Sequence, residues 1–114
     1  MIRVKVFKNT TLVSFDNKAR LDLNNSKSFR GEMMDILKKP FTNLFLDLDK
    51  VEEVDPEGLN ALLAGQRLSE MNHSQLSLFN VKENVLNMMK KHNLDRIFFV
   101  CDRPKPFSED LILV

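Results

Sequence analysis

The chain has 114 residues, of which 17 are basic and 16 acidic, and it contains nine Phe but no Trp or Tyr. A chain of this length forms one domain and buries enough surface to sustain a core without disulfides or metals. The nearly balanced charge, with no stripe of Lys or Arg, argues against DNA or RNA as the main partner. Cys101 is the only cysteine, which excludes an internal disulfide framework and a Cys-rich zinc site.

The N-terminal residues predict a β-hairpin. Ile2, Val4 and Val6 alternate with charged residues, which is the period of a strand with one buried face. Lys8-Asn9-Thr10 indicates a tight turn into a second strand at residues 11–15. The alternation leaves no continuous apolar stretch for a signal peptide, and no window holds the ~20 apolar residues that cross a bilayer. We therefore expect a soluble protein of the cytoplasm.

Helices and strands alternate after the hairpin. Asn24-Asn25-Ser26 offers N-cap chemistry for a first helix, which Pro40 ends. The further predicted elements are a strand at residues 44–48, a helix at 56–71, a strand at 75–79, a helix at 81–92 with Asn93 as a left-handed C-cap, and a strand at 97–100. This order predicts one α/β domain with a mixed, mostly parallel sheet of about four to five strands and about three to four helices.

Residues 1–102 carry all of these elements and are predicted to form the domain. The remaining residues, 103–114, include two prolines and end in the apolar run Leu111-Ile112-Leu113-Val114. An apolar ending of this kind favours burial. We therefore expect a C-terminal tail that docks on the same domain.

The second predicted helix begins with Asp55-Pro56-Glu57-Gly58-Leu59. Asp55 can cap the free amides, Pro56 suits the first turn, and Glu57 brings negative charge to the positive end of the helix dipole. The same features are typical of the start of an ordinary helix, so they do not by themselves indicate a functional site.

Several segments form an ordered pattern along the chain. They are the strand Leu44-Phe45-Leu46-Asp47-Leu48, the helix start at residues 55–63, the strand and turn at 75–81, and the passage His92-Asn93-Leu94-Asp95-Arg96-Ile97-Phe98. The set resembles the STAS domain family, the anti-sigma factor antagonists of bacteria, whose usual helix start is Asp-Ser-Ser-Gly-Leu. The resemblance extends over residues 2–102 and implies a STAS-like fold. It also implies a non-enzymatic domain that binds a protein partner, such as an anti-sigma factor that is a serine kinase.

The resemblance implies that the partner binds the start of the second helix. The residues it assigns to the contact are Asp55, Pro56, Glu57 and Gly58, with Asn60 and Ala61 exposed alongside, whereas Leu59 is expected to anchor the helix to the core. In the family, a partner kinase phosphorylates a Ser or Thr at this helix start, and the phosphate blocks binding. Glu57 occupies the phosphoacceptor position, and a serine kinase cannot phosphorylate a carboxylate. Glu57 is therefore either a permanent partial mimic of phosphoserine or a sign that the switch is lost.

Two other functions are compatible with the sequence. Some STAS proteins are accessory subunits of membrane transport ATPases and need no phosphorylation cycle, which the Pro56-Glu57 pair favours. A phosphoacceptor receiver domain is the weaker alternative, with Asp47 or Asp49 as the acceptor and Lys105-Pro106-Phe107 near the end. Its Mg²⁺-binding acid pair should follow the first strand, where this chain has no acidic residue.

Catalytic and metal sites are not indicated by the sequence. His73 lies in a polar turn and His92 at a predicted helix end, so both are expected on the surface. The acidic residues between Asp47 and Asp55 alternate with apolar ones, which we interpret as a solvated loop. We therefore expect no enzyme activity, no cofactor and no metal.

Overall fold

The computed structural model describes residues 2–101, and the elements named below lie in that range. The strands are β1 (Ile2–Phe7), β2 (Thr10–Phe15), β3 (Ala19–Leu21), β4 (Asn43–Asp47), β5 (Val51–Val54), β6 (Gln75–Phe79) and β7 (Phe99–Val100). The helices are α1 (Ser26–Leu37), α2 (Pro56–Met71) and α3 (Glu83–Lys91). The predicted tail, residues 103–114, lies outside the described residues, and its docking stays a prediction.

The main sheet has the strand order β1-β2-β4-β6-β7. β1 and β2 form the predicted antiparallel hairpin, and the other neighbours are parallel. Helices connect the parallel strands, because a parallel pair cannot be joined by a tight turn. The α/β class, the mixed and mostly parallel sheet and the helix order are therefore confirmed.

A second, two-stranded parallel sheet pairs β3 with β5. The prediction of a solvated loop between β4 and α2 is wrong, because Val51 and Val54 are buried and lie on a strand. The acidic side chains between them remain outside, where Glu53 forms a 2.6 Å ion pair with Arg20 of β3. The four residues Val-Glu-Glu-Val are too few, and alternate too poorly, for a strand to be distinguished from a loop.

The three helices contribute to one core on the same face of the main sheet. The inward positions of the central strands alternate along the chain and lie in matching rows, such as Val13, Leu46 and Leu78. They form a cluster with buried residues of all three helices, including Phe29, Met33, Leu59, Leu62, Val85 and Met89. The opposite face carries a smaller cluster in which Leu12 and Phe79 are packed by Phe45 and Cys101.

The C-terminal elements are shorter than predicted. Asn93 does adopt the left-handed conformation expected of it, with φ of 59°. The next turn is closed by the Ile97 amide, which donates to the Leu94 carbonyl oxygen at 3.1 Å. Because this turn occupies Ile97, only Phe99 and Val100 pair with β6. None of the helices within residues 2–101 is both long and apolar enough to cross a membrane.

Candidate functional site

The side chain of Asp55 caps the start of α2. Its Oδ1 accepts a hydrogen bond from the Gly58 amide at 2.8 Å, and the Asp55 backbone is extended (φ −92°, ψ 177°). These are the bond and the conformation expected of an N-cap residue. Pro56 follows in the first turn, where its missing N–H leaves no donor unpaired. The predicted helix start is confirmed.

Asp55 also holds the loop that leads from β3 to α1. Its Oδ2 accepts a hydrogen bond from the Leu23 amide at 3.1 Å, and its own amide donates to the Leu21 carbonyl oxygen at 3.0 Å. Both carboxylate oxygens therefore bind backbone amides from different segments of the chain. This geometry makes Asp55 a structural connector between the loop and the helix.

Gly58 brings α2 against the backbone of β3. A Cβ atom at this position would lie 2.9 Å from both the carbonyl carbon and the Cβ of Leu21. Real Cβ contacts are not that short, so only glycine permits this approach. Gly58 is buried, and its contribution to the site is the position of the helix.

The structure separates the remaining predicted contact residues into exposed and buried ones. Pro56, Glu57 and Asn60 are exposed, and Leu59 is buried in the core as expected. The prediction that Ala61 is exposed is wrong, since only 3% of its surface is accessible. Ala61 follows Gly58 by three positions and therefore lies on the same inward face of the helix.

Leu23 is an exposed apolar residue at this site that the sequence did not predict to belong to it. Its side chain is 71% exposed, although its amide is fixed by Asp55. Hydrogen bonds within the loop reinforce this position, because the Asp22 carboxylate accepts from the Asn24 amide at 2.9 Å. The Asn25 side chain accepts from the Asp22 amide at 3.0 Å. The signal in the sequence that could have identified Leu23 is an apolar residue among polar neighbours, Asp22 and Asn24.

We define the α2 patch as Leu23, Pro56, Glu57 and Asn60. The last three share one exposed side of the first turns of α2, and Leu23 is held beside them through Asp55. The patch combines two apolar side chains, one negative charge and one amide on a loop and a helix start that Asp55 joins by hydrogen bonds. This composition suits contact with another protein.

A cleft of about 350 Å³ lies next to the patch, between the second sheet and α3. Arg20, Asp22 and Asn84 contribute to its walls, and Arg20 is already paired with Glu53.

Within residues 2–101, no group of three or more His, Cys, Asp or Glu side chains is arranged to hold a metal ion. Asp47, considered above as a phosphoacceptor, accepts hydrogen bonds from the Asp49 amide and the Asn80 side chain.

A family model described as "Mlab, STAS domain" matches residues 18–101. The chain belongs to the STAS domain family. The matched region extends from the strand β3 through the α2 patch to the end of the described residues. Comparison with curated proteins gives no significant match.

Solved structures share the fold of this STAS domain. An anti-sigma factor antagonist (STAS) domain protein from Planctomyces limnophilus has a TM-score of 0.76 at 16% identity, over 98% of this chain and 96% of the other. The anti-sigma factor antagonist SpoIIAA of Bacillus, in its unphosphorylated form, has a TM-score of 0.72 at 13% identity, over 99% and 96%. The murine anion transporter Solute Carrier 26 family member A9 has a TM-score of 0.70 at 20% identity, over 96% of this chain and 18% of the transporter.

The receiver-domain alternative does not agree with these findings. A receiver has a doubly wound parallel sheet with helices on both faces. This STAS domain has an antiparallel hairpin at the sheet edge, and its three described helices contribute to a core on one face. The Lys105-Pro106-Phe107 segment that suggested a receiver lies outside the described residues.

The two roles of Asp55 predict a graded loss of stability. Asp55→Ala removes both hydrogen bonds and should lower the free energy of unfolding by about 2 kcal/mol. Asp55→Asn keeps an acceptor for the Gly58 amide but turns an amide donor toward the Leu23 amide. The free energy of unfolding of this variant should therefore lie between those of the unchanged protein and Asp55→Ala. Urea unfolding measures the order. The control Glu57→Ala removes an exposed side chain and should cost less than about 1 kcal/mol, and a loss equal to that of Asp55→Ala would contradict the connector role.

The close approach at Gly58 predicts opposite effects of one substitution at two helical glycines. Gly58→Ala should destabilise the protein, although alanine is the better helix former, because the new Cβ would clash with Leu21. Gly31→Ala in α1 is the matched control, since a Cβ there has no neighbour within 4 Å. It should stabilise the protein by up to about 1 kcal/mol. Thermal unfolding of both variants checks the prediction, and stabilisation by Gly58→Ala would refute it.

Proposed function

We propose that this STAS domain is a non-enzymatic module that binds a partner protein through the α2 patch. The observation that carries the proposal is Leu23, a largely exposed apolar side chain on a loop that Asp55 fixes to the helix start. An apolar residue whose backbone is already held by a hydrogen bond can enter a pocket of a partner with little further loss of backbone conformational entropy. Pro56 extends the apolar surface, and Glu57 and Asn60 then provide the polar surroundings of the contact.

The partner in this proposal is an anti-sigma factor, or a serine kinase with that role. Two lines of support are the family match and the similarity in fold to proteins described as anti-sigma factor antagonists. SpoIIAA has been solved in phosphorylated and unphosphorylated forms. In this chain, Glu57 stands at the position that the family resemblance assigns to the phosphoacceptor. Its fixed negative charge lies in the first turn of α2, where the helix dipole stabilises it.

A second candidate is an accessory subunit of a membrane transport ATPase. Glu57 favours it, because a partner that needs no phosphorylation cycle needs no hydroxyl at this position. A similar domain forms part of the murine anion transporter chain, which supports the compatibility of the fold with transport proteins. Under either candidate, the domain works in the cytoplasm on a protein surface, without a cofactor, nucleic acid or membrane insertion.

Crosslinking in the native cell would identify the partner. A photoreactive amino acid at Asn60 should capture an anti-sigma kinase under the first candidate and a transport ATPase under the second. The same amino acid at Arg67, which is exposed further along α2, is the control for non-specific capture. Capture of neither class from Asn60, or equal capture from both positions, would refute the proposal.

Leu23 is expected to be the apolar anchor of the contact. Leu23→Ala should weaken binding to the identified partner by about tenfold or more, because a buried anchor carries much of the binding free energy. Met71→Ala is the matched control. Met71 is an apolar residue of similar exposure, at 76%, but it lies at the opposite end of α2. Isothermal titration calorimetry measures both, and an equal effect of the two variants would contradict the assignment of the patch.

Glu57 is expected to weaken binding to an anti-sigma partner, as a phosphate would. Glu57→Ala should therefore tighten that complex, because it removes a negative charge from the contact. Glu57→Gln is the control that retains the length of the side chain and should tighten binding similarly. Fluorescence anisotropy at two salt concentrations separates charge from shape. Unchanged or weaker binding of both variants would show that Glu57 acts only at the helix start.

A further inference from the structure

β1 is the outermost strand of the main sheet, and no strand among residues 2–101 pairs with its outer edge. Val4 is 48% exposed and Val6 is 68% exposed, although both point toward the face that the helices cover elsewhere. The apolar alternation of this strand therefore continues beyond the core. An exposed apolar edge is a template for pairing with another strand.

The backbone of the same two residues is directed outward. The turn Lys8-Asn9 closes the hairpin on the pair formed by Phe7 and Thr10. Along an antiparallel pair, residues that exchange hydrogen bonds alternate with residues that do not. Phe7 and Lys5 therefore direct their peptide groups to β2, whereas Val4 and Val6 direct theirs away from it. Among residues 2–101, the peptide groups without a strand partner and the exposed apolar side chains belong to the same residues.

A groove of about 390 Å³ borders this edge on the helix side. Val4, Val6 and Ile36 of α1 give it apolar walls, and Lys8 and Lys39 lie at its rim. The acidic residue at the rim, Asp35, already pairs with Lys38 at 3.6 Å. The groove therefore presents apolar surface with an excess of positive charge.

We propose that the outer edge of β1 binds an extended segment of a partner protein in which apolar residues alternate with Asp or Glu. The segment would add a strand to the main sheet by pairing with the peptide groups of Val4 and Val6. Its apolar side chains cover Val4, Val6 and the groove. Its carboxylates lie on the other face, beside Arg3 and Lys5, where opposite charges across a strand pair are favourable.

A second copy of this chain fits the edge poorly. In a two-fold antiparallel pairing of β1 with its copy, Val4 must lie opposite Ile2, Val4 or Val6. These registers place Arg3 opposite Arg3, Arg3 opposite Lys5, or Lys5 opposite Lys5, respectively. Like charges directly opposite each other destabilise a strand pair, and basic residues on an edge are a known protection against self-pairing. An acidic partner segment changes each of these repulsions into an attraction.

Hydrogen exchange and NMR on the full chain test this proposal with short synthetic peptides of alternating Val and Glu or alternating Val and Lys. In the free monomer, the Val4 and Val6 amides should exchange rapidly. The Val-Glu peptide should protect both amides and shift their resonances, and the Val-Lys peptide should bind at least about tenfold more weakly. Protection of these amides in the free chain, equal binding of both peptides, or no shift at millimolar Val-Glu peptide would overturn the proposal.

Two variants distinguish strand addition from non-specific attraction. Val6→Pro removes an outward N–H and leaves the hydrogen bonds between β1 and β2 intact. It should therefore lower the affinity for the Val-Glu peptide about tenfold. Lys5→Glu leaves one positive charge, that of Arg3, and one negative charge on this face, so it should abolish the preference for the Val-Glu peptide. Lys90→Glu, at an exposed position of α3, is the charge control and should not change the affinity for either peptide. A dimer in sedimentation analysis that Val6→Pro dissociates would show that a second copy occupies the edge, contrary to the proposal.

Discussion

The arrangement of this domain depends on one carboxylate that binds two segments of backbone. Asp55 receives the Gly58 amide on one oxygen and the Leu23 amide on the other. It follows β5 directly, and its amide continues that strand's pairing by donating to Leu21 of β3. The end of the second sheet, the start of α2 and the loop before α1 therefore meet at a single residue. Gly58 completes this junction because it has no side chain to hold α2 away from Leu21.

This junction separates the residues that hold the site from those that a partner can contact. Asp55 and Gly58 are committed to backbone contacts, whereas Pro56 and Glu57 between them are exposed. A substitution at the exposed positions can change the charge of the surface without moving the helix. A glutamate at the position that the family resemblance assigns to the phosphoacceptor is physically consistent with an unchanged fold for this reason. The position of the helix start is set by Asp55 and Gly58, on either side of the exposed pair.

The sequence predicted the elements that carry strong local signals. Alternating residues predicted the β1–β2 hairpin, and Asp55 with Pro56 predicted the start of α2. The sequence did not predict the pairing of β3 with β5. These strands are short and far apart along the chain, so their pairing leaves no local pattern. The predicted exposure of Ala61 was also wrong, since alanine is compatible with either the buried or the exposed side of a helix. That face is decided by the docking of α2 at Gly58, which is a tertiary contact.

The two surfaces proposed for this domain differ in what they recognise. The α2 patch presents side chains on a fixed loop and helix, so the identity of each residue sets its affinity. The β1 edge presents peptide groups, which any extended chain can pair with, and the alternation of apolar and acidic residues selects among such chains. They share no residue, so the two proposed contacts use separate groups of the domain. A domain of this small size can thereby connect a specific partner at the α2 patch with an extended acidic segment at β1.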